Sequence, residues 1–435
     1  MGKKIQPPPL APPLEGRGVA AALSAVIPLT SRGGARGGVC NFLLLILLLL
    51  LTACESDEER LEPLPYQVLV SIQSTTEITF DEGLQGLIEP GRVTEEDLAP
   101  YKQRLDMAAM RSRRYDAHVV TYHTTDPNGH PVVASGVVYY PKTGKPRGVI
   151  EAISFNKNKY QCPSKQLANI SLMQGMAGFI VIVSDLIGCG ATDDMLIPYF
   201  YHDNAAKVSA DLRQAATELV RNVYGREMPA WTLISGISFA ASEAWALARY
   251  YDKHPELGVK VNQVWISGGA YHPLAVFDYQ LQARHADYVF IPSAICSINH
   301  YDSLGLDLRN VFRGELSEHY AEWCTGKKDQ DFLKEHLGTD IGQYLNLDFF
   351  SEDNEDYQKL HTSVGHFTIP NDWKPTCDVH IYHAANDTYV PIICADELAE
   401  YLRSIGAQVD YVVTDSGHWD NGIKMALEMA EFLYK

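Results

Sequence analysis

Positive charge is scarce in this 435-residue sequence: 36 Lys and Arg stand against 54 Asp and Glu, a formal net charge of −18. Nucleic-acid affinity rests on clustered Lys and Arg, so this balance sets DNA and RNA aside as partners. The eight cysteines form no CxxC pair, which removes the usual spacing of a zinc site, and no motif calls for a metal or an organic cofactor. No internal repeat is evident. The one long apolar run, residues 42–51, is too short for a comfortable membrane span. What is present is an ordinary globular profile, with 46% apolar, 10% aromatic and 21% charged residues. That content allows a large core, and the length fits two or three domains or one α/β domain carrying an insertion.

The apolar run follows Arg32 and Arg36 and ends in Leu51-Thr52-Ala53-Cys54. That tetrad resembles a bacterial lipobox, which implies that residues 1–53 are a signal peptide and that Cys54 is the acylated first residue of the mature chain. A plain signal peptide or an anchor helix is the alternative. The residues before Arg32 are Pro- and Gly-rich and long for the charged region of a signal peptide, which points to a translation start downstream of Met1. Residues 54–65 read as an acidic tether, with Glu55-Ser56-Asp57-Glu58-Glu59 as its solvated run. The run is also similar to the acidic tag that sends some Gram-negative lipoproteins to the outer cell surface. The expectation is therefore a cell-envelope protein, lipid-anchored to the outer membrane, with the leaflet left open. In such an oxidising compartment Cys162, Cys189, Cys296, Cys324, Cys377 and Cys394 can pair, and buried free thiols fit the count equally well.

Residues 66–112 are mixed in character, with a helix expected around 95–111, and read only as an N-terminal extension reaching to about 114. Regularity begins at YDAHVVTYHTTDPNGHPVVASGVVYYPK, where two alternating β-rich runs flank Asp126-Pro127-Asn128-Gly129, the signature of an antiparallel hairpin. Strands then alternate with helices: strands over 149–154, 178–184, 230–235 and 261–267, helices over 164–174, 204–224 and 239–254. Runs such as GFIVIVS are apolar on both faces, which predicts a mostly parallel sheet covered by helices on each side. The alternation stops between about 273 and 375, in a segment rich in Tyr, Phe, Trp and His that reads as irregular helices. It resumes with a strand over 378–383, a helix stopped by Gly406, a strand over 407–414 and a last helix over 419–434. The predicted architecture is α/β, with core 66–272 and 376–435 interrupted by a helical cap at 273–375.

Acyl transfer needs a nucleophile, a base, an acid to orient the base, and donors for the developing oxyanion. Three strand ends offer these parts. In WTLISGISFAASEA, Ser238 falls between a strand and a helix, with small residues Gly236 and Ala240 two positions to either side, as a nucleophile elbow demands. A small residue in a packed loop explains the pattern too, because GxSxA is loose. Asp387 follows a strand in AANDTYVP, where an Asx turn or helix cap is the plainer explanation. Of fifteen histidines, His418 alone sits in a short Gly-containing loop after the last predicted strand. Ser, Asp and His at successive strand ends, in that order, make a joint coincidence that none of the three makes alone.

From about Tyr115 to Lys435 the chain resembles an α/β-hydrolase of the secretory lipase type, an esterase group that includes many bacterial lipoproteins. The resemblance lies in TTDPNGHPVVASGVVYYP, GFIVIVSDLIGCGATDDMLIPYFY, GISFAASEA, NDWKPTCDVHIYHAANDTYVP and the SGH loop. It implies an α/β-hydrolase fold, with Ser238 as nucleophile, Asp387 as acid, His418 as base, and Asp185 in a structural role. Two departures stand out. Ala240 replaces the last elbow glycine, and ISFNKNKYQCPS replaces the His-Gly that usually follows the strand at 149–154. The oxyanion donors are then expected to be the backbone N–H of Phe239 and one within 155–157, assigned to Asn156. The leading expectation is an esterase acting on small-molecule ester substrates. A serine exopeptidase, which needs a site for a terminal amine, and a surface lipoprotein that only binds a ligand are the rivals. Glu315, Glu318 and Glu322 are the cap acids available for the amine; Tyr320, Trp323, Phe349 and Phe350 are the aromatics available to line a pocket over Ser238 or to pack the cap's own core.

Overall fold

The computed structural model describes residues 60–88, 111–154, 158–168 and 177–434, with 99, 172 and 175 besides. The expected signal peptide, Cys54, the acidic run 55–59, Asn156 and most of the helix expected at 95–111 lie outside the described residues. The described chain opens with strand β1 (Leu69–Thr79) and helix α1 (Phe80–Ile88), followed by β2 (Arg114–Thr125), β3 (Pro131–Pro141), β4 (Val149–Ala152) and β5 (Ile180–Ser184). Helix α2 (His202–Leu219), β6 (Trp231–Ile237), α3 (Phe239–Lys253) and β7 (Lys260–Ser267) come next. A helical segment follows: α4 (Pro273–Ala283), α5 (Ile291–Tyr301), α6 (Leu308–Val311), α7 (Gly314–Trp323), α8 (Gln330–Leu337) and α9 (Glu355–His366). Strand β8 (Asp378–Ala384), α10 (Ile393–Ser404), β9 (Val409–Thr414) and α11 (His418–Tyr434) complete the chain.

The strands form one nine-stranded sheet in the order β1-β2-β3-β5-β4-β6-β7-β8-β9. β1, β2 and β3 pair antiparallel, β3 pairs antiparallel with β5, and from β5 to β9 the pairing is parallel. All residues of β4 and β5 are buried, as a parallel sheet with both faces covered requires. Alternation along one strand divides the core: Leu233 joins Met425 and Met429 of α11 on one face, while Ile234 joins Ala244 and Leu247 of α3 on the other. The carboxylate of Glu151, in the middle of the sheet, is fully buried, and Arg213 Nη1 (3.1 Å) and the hydroxyl of Tyr251 (2.7 Å) donate to it. Burial pushes the Glu151 carboxyl up, and the Arg213 charge with those two hydrogen bonds opposes the push.

The hairpin turn forms at Asp126, whose Oδ1 accepts the N–H groups of Asn128 (2.9 Å) and His130 (2.8 Å). Two elements differ from the sequence reading. β1 is an additional sheet edge: its side chains are mostly exposed, so LVSIQSTTEIT carries no apolar alternation to reveal it. Residues 164–168 are turn and coil rather than helix, and the N–H of Ser164 donates to Asp185 Oδ1 (2.9 Å). The other oxygen of the buried Asp185 accepts from Ser135 Oγ at 2.5 Å, tying β3 to the loop after β5, a structural task.

Between β7 and β8 three of the six helices of the insert, α6, α8 and α9, start on polar caps: the side chains of Asp307, Asp329 and Asn354 accept N–H groups of their own first turns. Trp323 and Phe349 are buried against other rings of the insert, Phe332 and His336 for the one and Phe350 and Tyr357 for the other, in a core continuous with that of the sheet, and Tyr320 and Phe350 pack against it. The six described cysteines are buried free thiols.

Candidate active site

β6 ends at Ile237, α3 begins at Phe239, and Ser238 makes the whole turn between them. Its φ of 64° is left-handed, a conformation that an L-residue with a side chain rarely adopts, and it throws the hydroxyl out at the top of the sheet. The turn brings helix back onto strand so tightly that a Cβ on Gly236 would lie 2.1 Å from the carbonyl oxygen of Ala240. Glycine is therefore obligatory at 236, whereas at 240 an alanine side chain fits, buried within the core. The N–H of Ser238 donates to Ser267 O at 2.7 Å, fastening the elbow to the end of β7.

The loop after β8 brings in Asp387. Its Oδ1 accepts the N–H groups of Tyr389 (2.8 Å) and Val390 (3.0 Å), which is the Asx turn expected from its setting. Its Oδ2 is left for His418, at the first position of α11: Nδ1 lies 2.6 Å from that oxygen, and Nε2 lies 2.8 Å from Ser238 Oγ. All three side chains are buried. Burial works to raise the Asp387 carboxyl, but the hydrogen bond and charge of His418, the N–H of Val390 and His383 outweigh it and hold it below its ordinary value. An ionised Asp387 makes Nδ1 the protonated nitrogen, so Nε2 is free to accept the hydroxyl proton of Ser238.

Several positioning groups escaped the sequence reading. Gly268, with φ 63°, faces the imidazole, and a Cβ there would sit 2.8 Å from His418 Cε1. The Ser-Gly-Gly run after a strand was the available signal. Asn421 is buried beneath the site; its Nδ2 donates to Ser267 Oγ (2.8 Å) and its Oδ1 accepts from Thr414 Oγ1 (2.9 Å), locking the start of α11 to the ends of β7 and β9. Tyr389 stacks on His418, ring centroids 4.8 Å apart at 23°. His383, buried in β8, has its Nε2 3.0 Å from Val390 O and 3.5 Å from Asp387 Oδ2; burial lowers its basicity, and the Asp387 charge opposes the shift. Nothing in local sequence marks these last three: Asn421 and Tyr389 act through neighbours remote along the chain, and His383 through a loop whose course only the fold sets.

An apolar cavity of about 40 Å³ opens onto Ser238, walled by Tyr199, Phe200, Phe290, Tyr389 and Trp419 among others. None of Tyr320, Trp323, Phe349 and Phe350 lines it, and neither do Glu315, Glu318 and Glu322; Tyr288, Phe290 and Val276 are what the insert contributes. Glu315 and Glu322 are engaged elsewhere, with His336 and Lys328. A wider cleft of about 820 Å³ on the insert, bounded by Asp278, Arg284, Phe350, Tyr357 and His361, contains none of the three reactive groups. Phe239 is placed at the cavity, at the first position of α3, where a helix N–H has no intrahelical acceptor. Asn156 lies outside the described residues.

The fold is similar to that of several solved structures. A Legionella pneumophila protein assigned to the hydrolases superposes with a TM-score of 0.68 at 18% identity, over 84% of this chain and 97% of that one. The chain has the α/β-hydrolase fold. The rice cell wall degrading esterase LipA from Xanthomonas oryzae is similar at TM-score 0.66 and 18% identity, covering 84% of this chain and 96% of its own. Candida antarctica lipase A is similar at TM-score 0.54 and 11% identity, covering 80% and 77%. No family model and no curated protein matches the sequence.

Proposed function

We propose that this α/β-hydrolase-fold chain is a serine esterase acting on small-molecule esters. The observation that carries the reading is the buried relay from Ser238 Oγ to His418 Nε2 (2.8 Å) and from His418 Nδ1 to Asp387 Oδ2 (2.6 Å). Ser238 Oγ attacks the ester carbonyl while His418 takes its proton, and Asp387 holds the imidazole and stabilises its cation. The tetrahedral oxyanion is received by the N–H of Phe239 and by a second donor assigned from the sequence to Asn156; each such donor contributes on the order of a hundredfold to a thousandfold in rate. His418 returns the proton to the leaving alcohol, and water, activated by the same base, hydrolyses the acyl-enzyme. No step calls on a cofactor. The fold shared with an esterase and a lipase favours ester chemistry. The exopeptidase reading loses its candidate amine site, since none of the three cap glutamates lines the cavity. A pure binder has no physical need for a hydrogen-bonded serine, histidine and aspartate.

Replacing Ser238 by Ala abolishes turnover of p-nitrophenyl acyl esters and labelling by a fluorophosphonate. Labelling retained at another serine, or a preference for aminoacyl anilides over acyl esters, overturns the reading. We also propose that acylated Cys54 anchors the enzyme to the outer membrane; release of the Cys54→Ala protein from the membrane fraction is the expected result.

A further inference from the structure

The cavity at Ser238 bears on which esters the site accepts. Its volume, about 40 Å³, corresponds to roughly three or four water-sized volumes at about 10–15 Å³ each. Its walls are held from behind. Phe200 is buried and meets Phe239 and Phe290 at centroid distances of 5.3 and 6.1 Å. Its φ of 70° is left-handed, and its carbonyl accepts the N–H of His202 at 2.7 Å, so a tight backbone turn fixes the ring in place. The neighbouring Tyr199 is pinned to the insert through its N–H, which donates to Ser297 Oγ (3.1 Å), and its ring meets Phe239 edge-on. Tyr389 is stacked on His418 and bonded through its N–H to Asp387, so it cannot swing aside without disturbing the relay. None of the described lining residues carries a formal charge.

We infer that the acyl group accepted by this site is short and uncharged, of two to four carbons. The inference rests on the serine-esterase reading. A small apolar pocket opening at the nucleophile suits the acyl part, because that part stays bonded to Ser238 through both halves of the reaction while the alcohol must leave. Acetyl to butyryl chains fit the space. An octanoyl chain or an aromatic acid outgrows this space and must run out past its apolar walls or displace Phe200, Tyr199 or the insert, and an aminoacyl group meets no carboxylate for its ammonium among the described lining residues. In a pocket that accommodated them, each further methylene would raise the specificity constant about tenfold or more; here chains beyond four carbons reduce it.

The test is the specificity constant kcat/KM of the full mature chain for p-nitrophenyl acetate, butyrate and octanoate, with fluorophosphonate labelling of Ser238 run alongside. The expected result is a fall of at least a hundredfold from butyrate to octanoate. Phe290→Ala and, separately, Tyr288→Ala open the wall from the insert side, and in each the octanoate-to-acetate ratio rises at least tenfold. A ratio taken within one preparation does not depend on the fraction folded. Octanoate hydrolysed as well as butyrate by the labelled wild type overturns the inference and leaves the esterase reading standing, as does a ratio unmoved in both variants. Absence of both ester turnover and labelling overturns the esterase reading itself, and the acyl inference with it.

Discussion

Glu243 lies five positions beyond the nucleophile on α3, buried among alanines, and its Oε2 has no hydrogen-bond partner among the described residues. Burial alone pushes its carboxyl up to about 8 from an ordinary 4.5, so it is mostly protonated in the folded chain at pH 7 and ionised in the unfolded one. The folded-state value is the higher of the two, so the folded state is favoured most below pH 4.5 and loses stability as pH rises towards 8. The loss accumulates at about 1.4 kcal/mol per pH unit, which makes about 3 kcal/mol at pH 7. Glu243→Gln keeps the shape of the protonated acid and removes the titration. The variant should match wild type near pH 4.5 and exceed it by about 3 kcal/mol at pH 7. For a folded unit of this size, with an unfolding entropy of about 0.8 kcal/mol/K, that is a gap of about 4 °C in melting temperature. The assay is thermal unfolding of both proteins, followed by circular dichroism from pH 4.5 to 8. A gap that stays constant across that range refutes the reasoning, because it would mean that Glu243 ionises in the folded chain as readily as in the unfolded one.

Other expectations follow from the same geometry. Asp387→Asn places an amide against His418 Nδ1, favours the wrong tautomer and should lower kcat about ten-thousandfold while the protein stays folded, as measured by ester hydrolysis beside circular dichroism. Arg213→Met leaves the Glu151 carboxylate buried beside Tyr251 without its cation and should destabilise the fold by about 3–5 kcal/mol in a denaturant titration; a loss below 1 kcal/mol would show that the pair is not a structural centre of the sheet.

Sequence alone determined most of the architecture. Strands covered on both faces, such as β5, are continuous apolar runs, and the hairpin announces itself through Asp126 to Gly129, so periodicity and turn chemistry were enough for them. The elbow was legible for a local reason: Gly236 and Ala240 are small because the turn folds back on itself within five residues. β1 was not legible, since an edge strand exposed along most of its length has no reason to alternate. The lining of the cavity was left open for a different reason. An aromatic-rich insert supplies many rings, and only packing decides that Phe290 reaches Ser238 while Trp323 and Phe349 pack against other rings of the insert.

What sequence by itself determined, then, was the set of chemical parts and their order along the chain: a serine, an acid and a base at successive strand ends. Tertiary structure decided that the parts meet. Ser238 and His418 are 180 residues apart, and the 2.8 Å between them exists because parallel strands put successive loops on one edge of the sheet, where Gly268 leaves room for the imidazole and Asn421 anchors its helix. Tertiary structure decided the size of the cavity as well, because that depends on rings from the 199–200 loop, the insert and the loop after β8 closing on one point.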